Sequence, residues 1–85
     1  MFIVKINNLD GRFLKLIKSI IEFYDIVETD RLTWFNGEYC DADVYGAVTE
    51  KDAILNVCDF DFLSITELGQ RIRRCGYDVT IELQF

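Results

Sequence analysis

Residues 31–48 read RLTWFNGEYCDADVYGAV, and the position at which this stretch turns decides how the strands are laid out. Aromatic and β-branched residues flank Asn36-Gly37, a dipeptide suited to a type I′ turn, which needs positive φ at both central positions. The spacing predicts an antiparallel pair of strands over 31–35 and 38–48. The next segment, TEKD (49–52), reads as a second turn, and AILNVCDFDF (53–62) as a third consecutive strand whose later half alternates Asp59, Phe60, Asp61, Phe62.

Working outward, FIVKI (2–6) is a short β-branched and aromatic run ending in the polar NNLDG, a first strand and a turn. From Gly11 to about Tyr24 the apolar residues Phe13, Leu14, Leu16, Ile17, Ile20, Ile21 and Tyr24 recur at three and four, which predicts a helix with Asp10 as its N-cap. Ser64 with Glu67 three residues later has capping-box spacing. Ile65, Leu68 and Ile72 then mark one face of a second helix that stops at Gly76. The closing DVTIELQF (78–85) alternates strictly, as a half-buried strand does.

The predicted order is β-α-β-β-β-α-β over a single domain, 1–85. Its fold class is α+β: a two-layer sandwich, mainly antiparallel, with two helices on one face, a ferredoxin-like variant. Eighty-five residues at 51% hydrophobic close one core without a metal or disulfide. No run reaches the roughly 20 apolar residues that span a bilayer, and the start lacks a basic region leading into an apolar one, so a cytoplasmic location is expected. Cys40, Cys58 and Cys75 are odd in number, with no histidine in the chain to complete a zinc set; they read as reduced, mostly buried thiols.

Charge is segregated along the chain. Residues 22–67 hold twelve acids against two bases, a local balance of −10, while residues 1–21 and 68–85 balance at +3 and +1; the whole carries −6. A negative net charge opposes direct binding to nucleic acid or an anionic membrane. Two D-x-D pairs, Asp41/Asp43 and Asp59/Asp61, each occupy one face of a predicted strand. With three unpaired residues in the TEKD connection, Asp41 would face Asp61 and Asp43 would face Asp59. Directly opposed carboxylates weaken a sheet unless a cation or basic partner sits among them.

Trp34, Phe35, Tyr39 and Tyr45 are interleaved with those acids, and neighbours on a strand cannot all face a core. An aromatic left outside among carboxylates suits protein binding, as an anchor ringed by charges that steer a basic partner. Trp34, Tyr39 and Tyr45 are the candidate anchors, and Glu38, Asp41, Asp43, Asp59 and Asp61 the steering or phosphate-mimicking charges. The same D-x-D pairs could hold Mg²⁺ or Mn²⁺ in an enzyme, although no histidine, lysine cluster or glycine-rich loop supplies a base or phosphate clamp. A third reading is a small-molecule sensor of the ACT type, with NNLDGR after the first strand as its ligand loop. No metal or cofactor is expected on the first reading.

GEYCDA (37–42) resembles the Gly-Glu-x-x-Asp-Ala spacing of barstar-type ribonuclease inhibitors, and GYDVTI (76–81) resembles their closing helix-to-strand junction. By that resemblance Asp41 matches an inhibitory acid, whereas the family's other inhibitory acids fall on Tyr45 and Arg71. A small, proline-free, acidic α+β chain is also similar in type to the inhibitors that phages direct at host nucleases, anti-CRISPR proteins included. The reading that follows is a non-enzymatic inhibitor that blocks the nucleic-acid site of a basic, nucleic-acid-processing protein.

Overall fold

The structure, a computed structural model, describes residues 1–58 and 61–84. Its elements run β1 (Phe2–Asn7), α1 (Phe13–Ile20), β2 (Glu22–Glu28), β3 (Thr33–Tyr39), β4 (Ala42–Val48), β5 (Asp52–Val57), α2 (Phe62–Arg73) and β6 (Asp78–Leu83). The strands form a six-stranded sheet in the order β2-β3-β4-β5-β1-β6, with every neighbouring pair antiparallel. The five-stranded ferredoxin-like arrangement is therefore corrected: a sixth strand is present, and β2 to β5 form a continuous meander that returns to the first strand.

The added strand comes from the end of the expected helix. Helix α1 closes after two turns, where Ile21 turns extended (φ −101°, ψ 131°) while its N–H still bonds the Ile17 carbonyl at 2.9 Å. Beyond it EFYDIVE is rich in β-branched and aromatic residues, and such side chains sit with less crowding on a pleated strand than on a helix. A bulge between Phe23 and Asp25 shifts the register against β3, which breaks the alternation that would have marked this segment as a strand.

Asn36-Gly37 is not the hairpin turn; both residues lie inside β3. The turn is Cys40-Asp41, with φ of 48° and 68°, joining the paired residues Tyr39 and Ala42. Positive φ at both central positions is what a I′ turn requires. Gly37 is needed for a different reason: a Cβ there would lie 2.3 Å from the Glu22 carbonyl oxygen, and one at Gly46 would lie 1.9 Å from that of Ile54. Only a residue without a side chain lets the adjacent strands approach so closely.

One face of the sheet carries the core. Phe2, Val4 and Ile6 of β1, Phe35 and Tyr39 of β3, Val44 of β4, and Leu55 and Val57 of β5 point inward, onto Phe13 and Ile17 of α1 and Ile65, Leu68 and Ile72 of α2. The loop before α1 is held by Asp10, which accepts from the Arg12 amide, the Arg12 guanidinium and, at 2.7 Å, the Tyr77 hydroxyl. These donors lower its pKa to about 2, the Arg12 side chain being the largest cause. Asp10 is not the N-cap, a position that Arg12 fills without a side-chain bond.

Helix α2 starts earlier than the Ser64/Glu67 spacing implies. Asp61 is its N-cap, its carboxylate accepting from the Ser64 amide at 2.7 Å and from the Ser64 hydroxyl at 3.0 Å. The expected third strand thus ends at Val57, and its predicted residues Asp59 and Phe60 lie outside the described residues. The cysteines are also more open than expected: Cys40 and Cys75 are exposed and Cys58 is half-buried.

Candidate acidic binding face

The other face of the sheet has no layer over it among the described residues, and its side chains fall into cross-strand rows. Val27, Trp34, Ala47, Ile54, Lys5 and Thr80 make one row, reading from β2 to β6. The next contains Asp25, Asn36, Tyr45, Asn56, Ile3 and Glu82. A third brings Glu22, Glu38 and Asp43 side by side across β2, β3 and β4.

The first row is apolar where it crosses the meander. Trp34 is 56% exposed, Ile54 45% and Tyr45, one row along, 43%. Large apolar side chains left this open on neighbouring strands form a continuous patch, the kind of surface that marks an interaction site. A trough of about 330 Å³ runs between Trp34, Tyr45, Ile54 and Asn56, with Gly46 and Ala47 beneath it. Tyr45 is fixed at both ends: its carbonyl accepts from the Asn56 amide at 3.2 Å and its hydroxyl lies 3.7 Å from the Met1 sulfur.

Beside the trough lies a second hollow, of about 390 Å³, walled by Tyr24 and Tyr45 and lined by Asn36, Asp43 and Cys58. The Tyr24 hydroxyl donates to Glu38. That bond, with desolvation and the fields of Glu38, Glu22 and Asp43, pushes the Tyr24 pKa up to about 12. Three carboxylates in direct cross-strand sequence repel one another. The nearest ion pair on this face, Lys5 with Glu82 at 3.2 Å, is across the sheet on β1 and β6.

The residues singled out from the sequence do not form one cluster. Trp34, Glu38, Asp43 and Tyr45 share the open face, whereas Tyr39 is 6% exposed and points to the helices. Its hydroxyl accepts from Arg71 Nη1 at 3.2 Å, and the guanidinium carbon lies 5.9 Å from the ring centroid. Asp41 is in the β3–β4 turn and Asp61 caps α2, so neither stands opposite the other; the observed register pairs Val48 with Ala53 and Val44 with Val57. Asp59 is outside the described residues.

Sequence reasoning missed Tyr24, Asn36, Ile54 and Asn56. The signal for the last two was present: Ala53, Leu55 and Val57 face the core, so period-two alternation puts Ile54 and Asn56 outside. For Tyr24 it was absent, since the residue adjoins the bulge.

No group of three or more acids and cysteines among the described residues is placed to hold a metal ion. Nor is any helix among them long and apolar enough to cross a membrane. No family model, curated protein or solved structure matches the chain.

Proposed function

We propose that this chain is a non-enzymatic binding protein that uses its open sheet face to occupy the basic, nucleic-acid-binding site of a nuclease or related enzyme. The observation that carries the reading is the juxtaposition of exposed Trp34 and Tyr45 with the Glu22, Glu38, Asp43 row on one rigid sheet. Aromatic rings supply contact area with few rotors to freeze, and the carboxylates supply attraction at long range and positions a phosphate would otherwise take. A sheet holds such groups at fixed spacing, which limits the entropy lost on binding.

The helices bear the opposite charge, with Arg12, Lys15 and Lys18 in and before α1 and Arg71, Arg73 and Arg74 in and after α2. A basic partner is thereby steered to the sheet side. Three cysteines without a disulfide support a reducing, cytoplasmic setting. The test is affinity capture from the native host with the wild-type chain and with Glu38→Lys/Asp43→Lys. A nucleic-acid enzyme recovered by the first and lost by the second, at unchanged circular dichroism, is the expected result. Recovery of no such enzyme by the wild type refutes the reading.

A further inference from the structure

The two hollows on the open face share a wall, Tyr45, yet differ in chemistry. The trough at Trp34, Ala47 and Ile54 is apolar, with Asn56 at its rim, and has room for one or two aliphatic side chains. The neighbouring hollow sets the rings of Tyr24 and Tyr45 around Asn36 and the Asp43 carboxylate, with Glu38 held against Tyr24. Their centres are offset by about two residues along β4, roughly 7 Å at strand rise. That is the separation between side chains on one side of an extended segment.

We propose that this face reads an extended segment of a basic partner protein in which an aliphatic residue and an arginine stand two positions apart. The aliphatic side chain enters the trough and the guanidinium enters the hollow. Charge complementarity selects a cation: Glu22, Glu38 and Asp43 crowd this end of the face, and the only base of its three rows is Lys5, beyond Ile54 on β1 and paired with Glu82. Arginine fits better than lysine because its flat guanidinium can lie against a tyrosine ring while its fork of N–H groups reaches the Asp43 carboxylate and the Asn36 amide oxygen. This inference rests on the proposed function and adds to it a recognition rule.

Trp34 is the only tryptophan and walls the trough, so its fluorescence reports the event directly. The chain is titrated with the capped tripeptides Leu-Ser-Arg and Arg-Ser-Leu, and with Ser-Ser-Arg, Leu-Ser-Lys and Leu-Ser-Glu as comparators. The better Leu/Arg peptide is expected to bind about tenfold tighter than Ser-Ser-Arg or Leu-Ser-Glu, and several-fold tighter than Leu-Ser-Lys. Ile54→Lys is expected to remove the preference for leucine, and Asp43→Lys the preference for arginine; both positions are exposed, so melting temperature checks that the fold is kept.

Equal binding of every cationic peptide, with or without leucine, overturns the two-hollow rule while leaving a general acidic binding face intact. No response to any cationic peptide counts against both. Sedimentation of the chain alone as a dimer, with Trp34 emission shifting to the blue on concentration, overturns the proposal by making a second copy the occupant.

Discussion

Two residues with positive φ and two glycines without it account for how the central hairpin is built. Cys40 and Asp41 hold left-handed conformations that cost an ordinary L-residue about 1–2 kcal/mol each, less for Asp. Placing Asn and Gly there, as Cys40→Asn/Asp41→Gly, is expected to raise stability by about 1 kcal/mol, read as a higher denaturation midpoint. Gly37→Ala and Gly46→Ala are expected to lose about 1–3 kcal/mol each, because the new methyl meets a neighbouring strand's carbonyl. The natural dipeptide Asn36-Gly37 was misread for the same physical reason: glycine serves a tight turn and a close strand approach alike. Local sequence does not tell which, since the second use depends on the backbone of Glu22, fifteen residues earlier and on a strand that was itself hidden.

At the scale of the element, legibility followed the regularity of the pattern. Strand β6 alternates cleanly in sequence and β1 is a short β-branched and aromatic run; their inward residues include Val4, Ile6 and Val79. Strand β2 was not legible, because Ile20, Ile21 and Tyr24 extend the three-and-four spacing of α1 and the bulge at Phe23/Asp25 removes the competing period of two. The start of α2 was obscured in the same way. Asp61 appeared as the outward half of an alternating Asp/Phe strand, but its carboxylate caps the helix and its pKa is lowered by the Ser64 backbone and hydroxyl bonds. Asp61→Ala is expected to cost about 1 kcal/mol, whereas Glu67→Ala changes stability little, since the Ser64 amide that a Ser64/Glu67 box would use donates to Asp61 instead. Urea unfolding of the two variants distinguishes this cap from a Ser64/Glu67 box.

Over the whole molecule, the segregation of charge was legible from composition, but its geometry was not. The −10 stretch splits once folded: Glu28 pairs with Lys18 on the helix side, Asp61 turns to its helix, and Glu22, Glu38 and Asp43 remain together outside. Such a row stores repulsion in the free protein. Glu22→Gln and Asp43→Asn are each expected to raise stability slightly, by about a few tenths of a kcal/mol at low salt, read as a higher melting temperature, and the gain is expected to shrink at 0.5 M NaCl as screening relieves the wild type. An unchanged melting temperature at low salt would mean that solvent already screens the row fully.

The interior position of β1 also sets the order of assembly. Its first six paired residues bond to 52–57 on one side and 78–83 on the other, while β2 to β5 pair only with immediate neighbours in sequence until β5 meets β1. Hairpins of the meander close over short loops and are expected to form early, whereas β1 must pair with segments 45 to 81 residues further along the chain. Phe2, Val4 and Ile6 are therefore expected to join the sheet after the meander has formed, and the rate of folding depends on how soon β1 is captured between β5 and β6.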